Sequence, residues 1–199
     1  MEDGEDTKEL KIILLGESGV GKTCIINRYI NNEFVSGSSS TLACYSNKKN
    51  ITKDNVRYVM DIWDTTGQEK YHSVTNLFIK GSDVIILVYS IDSRASFDGL
   101  EYWYNSVQEK LGVKNYILVI VGSKSDLTDN EEVTEQEGIK YAEEKKAIFK
   151  LVSAKVDGKG IENLFDSILN DFIASLNRRD MSPSFSITRT KKSKKKRCC

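Results

Sequence analysis

The residues Gly16-Glu17-Ser18-Gly19-Val20-Gly21-Lys22-Thr23 read G-x-x-x-x-G-K-T, a pattern able to hold a chain of phosphates. The residue types supply the chemistry. Gly16, Gly19 and Gly21 allow backbone turns that side chains forbid and let N–H groups approach phosphate oxygens closely. Lys22 has the reach for the β- and γ-phosphates, and the Thr23 hydroxyl is a hard oxygen suited to Mg²⁺. A glycine turn joining a strand to a helix is the plain alternative. The pattern implies a nucleoside triphosphate and leaves the base open.

A loop of this kind must be positioned by a strand before it and a helix after it, so that the helix N-terminus collects backbone N–H groups around the anion. Both flanks are present. Leu10-Lys11-Ile12-Ile13-Leu14-Leu15 is the apolar run of a buried strand, and Cys24 to Ile30 has helical apolar spacing. Further along, 43–52 and 56–63 bracket Asp54-Asn55 as a hairpin. Val84–Tyr89, Tyr116–Val121 and Ile148–Val152 read as strands, and Ser96–Leu111, Val133–Lys145 and Ile161–Leu176 as helices, with Thr134 and Glu137 forming a capping box. The alternation predicts an α/β fold with a six-stranded, mostly parallel sheet and helices on both faces. The expected organisation is a disordered acidic arm over 1–9, one domain over 10–176, and a flexible tail over 177–199.

Ligands of such sheets bind at the carboxyl ends of the strands. Polar clusters follow four of the apolar runs: the glycine loop, Asp64-Thr65-Thr66-Gly67-Gln68-Glu69, Gly122-Ser123-Lys124-Ser125-Asp126, and Ser153-Ala154-Lys155. All four are therefore predicted to converge on one sheet edge.

Composition narrows the class. The 199 residues are 39% hydrophobic and 29% charged, which suits a soluble domain with a sizeable core. No apolar run approaches the roughly 20 residues of a membrane span, and the acidic start Met1-Glu2-Asp3-Gly4-Glu5-Asp6 is unlike a signal peptide. Of 29 basic residues, seven lie within Arg189–Arg197; the remaining 22 face 29 acidic ones. An acidic body with a basic tail speaks against nucleic acid as the main partner and for an acidic surface met by the tail alone. Cys24 and Cys44 read as packing residues, and His72 as a surface or contact residue.

Taken together, these motifs resemble the Ras superfamily of small GTPases, and within it a divergent Rab. The resemblance covers about 8–176 plus the C-terminus. Asp64 to Glu69 is similar to D-T-A-G-Q-E, Ser123-Lys124-Ser125-Asp126 to N-K-x-D, and Ser153-Ala154-Lys155 is S-A-K. Thr41 stands where the family has its switch I threonine, 18 residues past Thr23. The resemblance implies a small G-protein fold and a GTP/GDP site formed by Gly16, Glu17, Ser18, Gly19, Val20, Gly21, Lys22, Thr23, Cys24, Phe34, Thr41, Gly67, Ser123, Lys124, Asp126, Ser153, Ala154 and Lys155. Mg²⁺ would be held by Thr23, Thr41 and Asp64, and catalysis would rest on Gln68, Lys22, Thr41 and Gly67. The Asp126 carboxylate matches the paired N–H donors of guanine, Ala154 would offer its N–H to O6, and Lys124 and Phe34 would cover the base, unless Phe34 only packs locally.

The implied function is slow hydrolysis of GTP to GDP and phosphate, stimulated by an activating protein, in a monomeric switch for vesicle trafficking. Its implied partners are effectors reached through switch I and II, an exchange factor, and a GDP-dissociation inhibitor or escort protein. The terminal Cys198-Cys199 leaves no a-a-X residues and resembles the Rab ending that carries two prenyl groups. The expected location is thus the cytoplasmic face of intracellular membranes, with a cytosolic pool.

Five positions depart from the family pattern, Ala43 and Tyr45 in the usual T-I-G-V-D-F run among them. Thr66 replaces Ala, Ser123 replaces Asn with an expected loss of hydrogen-bonding reach, and Ser46 replaces a Phe that in Rabs faces effectors with Trp63 and Tyr71. Thr66 and Ser123 keep open a slow- or non-hydrolysing GTP-binding scaffold. A P-loop kinase acting on a small metabolite would instead prefer ATP, against which Asp126 argues.

Overall fold

The computed structural model describes residues 7–34, 44–65, 77–112 and 116–180. Among these, β1 is Thr7–Leu15, α1 Lys22–Asn31, β2 Tyr45–Lys53, β3 Val56–Asp64, β4 Val84–Ser90, α2 Arg94–Asp98, α3 Leu100–Leu111, β5 Ile117–Ser123, α4 Glu135–Lys145, β6 Ile148–Leu151 and α5 Gly158–Asp180. The strands form one six-stranded sheet in the order β2-β3-β1-β4-β5-β6. Only β2 runs antiparallel to its neighbour, because Asp54 and Asn55, both at positive φ (51° and 60°), close a two-residue hairpin to β3.

Alternating side chains of the central strands fill two cores. Leu10, Ile12, Leu14, Ile86 and Val88 pack under α1 and α5, and Ile13, Leu15, Ile85, Leu87 and Tyr89 under α3 and α4. All seven residues of β4 are buried, which explains why this strand reads as an unbroken apolar run. On the first face Tyr29 of α1 stacks on Phe165 of α5 at 3.9 Å and 14°, a contact worth about 1 kcal/mol beyond its buried area.

Several boundaries differ from the sequence reading. Thr7, Lys8 and Glu9, assigned there to the arm, are strand residues registered with Arg57, Tyr58 and Val59. Their polarity is compatible with pairing because Thr7 and Glu9 are exposed. The last helix continues past residue 176 to Asp180; Arg178 and Arg179 are good helix formers and carry it one more turn. The helix expected over 96–111 is divided. Ser93 caps α2 by accepting from the Ser96 N–H, and α3 restarts after Gly99. A Cβ at Gly99 would lie 3.0 Å from Glu17 Oε1, so the glycine leaves room for that carboxylate. The capping box of Thr134 and Glu137 is present at α4.

Candidate nucleotide site

The parallel register sets Leu15 beside Leu87, Ser90 beside Ser123 and Gly122 beside Leu151, so the loops after β1, β4, β5 and β6 leave the sheet at one edge. The loop from β1 to α1 fits there because Gly16 is a glycine. At φ 145°, its missing Cβ would stand 2.1 Å from the Val88 carbonyl oxygen, closer than any real contact. Gly21, at φ 99°, is the N-cap of α1 and offers no side-chain cap to the first helical N–H groups. An uncapped helix N-terminus beside a buried cation is an anion-binding arrangement.

That cation is Lys22, 5% exposed, whose Nζ donates to the Gly16 and Glu17 carbonyls at 2.7 Å each. Burial lowers its pKa to about 8, partly offset by the Asp64 and Glu17 charges. Next along α1, the Thr23 hydroxyl donates to Asp64 Oδ2 at 2.7 Å. Asp64 ends β3 and is 5% exposed, and burial raises its pKa against the opposing effects of Thr23, Lys22 and the Thr65 N–H. Its second oxygen, Oδ1, is buried with no hydrogen-bond partner among the described residues. An orphaned carboxylate oxygen beside a hydroxyl is a donor set that a hard divalent cation satisfies.

The loop after β5 is tied to the rest of the site by hydroxyls. Ser123, 2% exposed, donates to the Val20 carbonyl. Lys124, at φ 58°, directs its Nζ to Asp92 Oδ1 at 3.4 Å, and Ser90 donates to the same carboxylate oxygen. Asp126 Oδ1 accepts from the Ser153 hydroxyl at 2.5 Å, and Lys155 Nζ stands 4.0 Å from Oδ2. The Ser153 oxygen in turn accepts the Lys155 and Val156 N–H groups at 3.2 Å, which shapes the turn after β6.

The structure thus brings together Gly16 to Thr23, Asp64, Ser123, Lys124, Asp126, Ser153, Ala154 and Lys155. Ser123, though shorter than the Asn of the family pattern, reaches across to the glycine loop. Cys24 and Phe34 are partly buried and pack against the core shared by α1 and α5. Thr41, Thr66, Gly67, Gln68, Tyr71, His72, Cys198 and Cys199 lie outside the described residues. Ser46 and Trp63 are paired across β2 and β3, and both donate to the Asp61 carboxylate, Trp63 Nε1 at 2.9 Å. The Phe-to-Ser departure therefore creates a hydrogen-bonded patch on this face.

Three contributors were not singled out in the sequence. Asp92 follows β4, where the strand-end rule that found the other clusters would also have found Ser90-Ile91-Asp92-Ser93. Trp103, buried on α3, donates from Nε1 to Glu17 Oε1 at 3.2 Å and braces the glycine loop. Arg28 of α1 reaches the turn after β6. The last two act through long-range contacts that carry no spacing signal.

A model of the Ras family matches residues 11–174. The chain is 38% identical over 166 residues to Ras-related protein Rab-11B of Dictyostelium discoideum, covering 83% of this chain and 74% of that protein. It is 33% identical over 192 residues to mouse Ras-related protein Rab-37, covering 95% and 85%, and 34% identical over 163 residues to human Ras-related protein Rab-17, covering 82% and 76%. With these matches spanning the sheet edge and its loops, the chain belongs to the Ras family as a Rab-type small GTPase, an enzyme that hydrolyses GTP to GDP and phosphate.

Proposed function

We propose that this chain is a lipid-anchored GTP/GDP switch acting in vesicle traffic on the cytoplasmic face of intracellular membranes. The observation that carries the nucleotide part is the meeting of Lys22, the Thr23–Asp64 pair and the Asp126–Ser153 pair at one sheet edge. In this reading Lys22 exchanges the Gly16 and Glu17 carbonyls for phosphate oxygens. Asp126, held by Ser153, accepts the two N–H donors of guanine, and Ala154 donates to O6. Adenine has no such donor pair and would leave a carboxylate unpaired. Thr23 and Asp64 fit Mg²⁺, which when bound supplies charge neutralisation at the β- and γ-phosphates. Thr41 and Gly67 close on the γ-phosphate, and Gln68 orients the attacking water. Loss of the γ-phosphate releases both switch segments.

The membrane part rests on Cys198-Cys199 behind the basic run, together with the similarity to Rab proteins. Among the described residues no helix is long and apolar enough to cross a membrane. Two prenyl chains plus basic charge give stable anchoring where one chain gives only marginal binding. Effectors, an exchange factor, an activating protein and an escort or GDP-dissociation inhibitor are the partners of such a monomeric switch. The test is the full, tagged chain with Cys198→Ser and Cys199→Ser, fractionated from its own cells. The protein should leave the membrane pellet while GDP affinity is unchanged. An unaltered pellet fraction would rule out the cysteines as the anchor.

A further inference from the structure

The geometry points to Arg28 as a positioning residue for the bound base: its guanidinium clamps the 153–155 turn to the end of α1 and thereby sets how fast guanine nucleotide leaves. This rests on the reading of Ala154 as the donor to guanine O6. Arg28 lies in the last turn of α1 and spreads its donors in two directions. Nε donates to the Ala154 carbonyl at 2.7 Å and Nη2 to the Lys155 carbonyl at 3.2 Å. Nη1 donates to the Asn32 carbonyl at 2.9 Å and to Asn32 Oδ1 at 3.3 Å. Asn32 closes α1 in the left-handed conformation, at φ 55°, and returns its own N–H to the Arg28 carbonyl at 3.0 Å.

One planar cation thus joins the 153–155 turn, which carries Ala154, to the C-terminal end of α1 at Asn32. A planar guanidinium with several fixed donors can hold both at once; an ammonium on a flexible stem cannot reproduce that fork. The helix does not need Arg28 for its own placement, because Tyr29 stacked on Phe165 and the buried Ile25 and Ile26 already seat α1 on the sheet and α5. Ser153 fixes the turn from the Asp126 side, through its hydroxyl. Arg28 fixes it from the α1 side, through two carbonyls. Without the second anchor the turn keeps its link to Asp126 but loses the restraint on Ala154, which is 8% exposed.

The test uses the full chain loaded with GDP or with 6-thio-GDP. The analogue keeps the two N–H groups facing Asp126 but offers a weaker acceptor at position 6. Release rates are measured by displacement for the parent, Arg28→Ala and Arg28→Lys. Arg28→Ala should release GDP about tenfold faster, with Arg28→Lys between it and the parent. The acceleration should shrink to about threefold or less with 6-thio-GDP, because the contact that Arg28 positions is already weakened. Equal acceleration with both nucleotides would show that Arg28 only supports the fold, and no acceleration would reject the clamp. Equal release of GDP and 6-thio-GDP from the parent would reject the O6 contact itself, and the clamp with it. Parent protein that binds ATP as well as GDP would mark failure of the guanine reading.

Discussion

The Ser123 hydroxyl donates to the carbonyl of Val20, joining the end of β5 to the glycine loop across 103 residues of chain. A serine in this place has a shorter reach than asparagine, yet the two backbones are close enough for one hydroxyl to span them. A Cβ at Gly21 would make only an ordinary 3.8 Å contact with the Ser123 Oγ, so it is the φ of 99° that favours glycine there. Because the donor is 2% exposed, its removal leaves a buried carbonyl unsatisfied.

Ser123→Ala should therefore loosen the glycine loop by roughly 1 kcal/mol, read as about fivefold faster GDP release. Displacement of a fluorescent GDP analogue measures this directly. A release rate within error of the parent would show that the Ser123–Val20 bond does not restrain the loop.

Asp126 has one oxygen committed to Ser153, which fixes the plane of its carboxylate. Asp126→Asn should lower GTP affinity about a hundredfold and raise affinity for xanthosine triphosphate, whose extra carbonyl accepts from the new amide. Competition binding with GTP, ATP and the xanthine nucleotide checks this. Unchanged selectivity in the variant would remove Asp126 from base recognition.

The fold and much of the site were legible in the sequence because both are written locally. Apolar runs mark buried strands, and the polar residues that follow each run mark the sheet edge. What was not legible are the braces. Arg28 bonds to the carbonyls of Ala154 and Lys155, which every residue type carries, so no spacing announces the contact. Trp103 reads as one more apolar position of α3, and only the fold brings its indole to Glu17. Phe34, expected by resemblance to cover the base unless it only packs locally, is partly buried beside the core shared by α1 and α5.

Lys22 gives a pH dependence with a definite sign. Burial depresses its pKa from 10.5 to about 8, so between these values the unfolded chain holds a proton that the folded nucleotide-free protein has released. Its charged form thus costs stability below pH 8, and stability rises with pH from about 8 to 10.5 as that cost is relieved. Phosphates placed against Lys22 restore the charge, so nucleotide binding should take up about half a proton at pH 8. Calorimetry of GDP binding at pH 8 in two buffers of different ionisation enthalpy measures the uptake. Identical apparent enthalpies in both buffers would mean that Lys22 is already fully charged.

Thr66 lies outside the described residues. It stands between Asp64, whose carboxylate meets the Thr23 hydroxyl, and Gly67 and Gln68, assigned by family resemblance to the γ-phosphate and the attacking water. The pattern has alanine at this position, so the threonine adds a methyl and a hydroxyl one residue before Gly67. The prediction is that a hydroxyl there would compete with Gln68 for the water, and that a branched Cβ would narrow the backbone choices of the segment. Positioning supplies most of the rate in phosphoryl transfer, so a modest misplacement has a kinetic cost. Thr66→Ala should raise intrinsic hydrolysis about fivefold, about 1 kcal/mol in barrier, while GTP affinity changes much less. The measurement is single-turnover phosphate release from preloaded GTP for both proteins. Equal rates would make Thr66 a neutral replacement and withdraw its support from the slow-hydrolysing alternative.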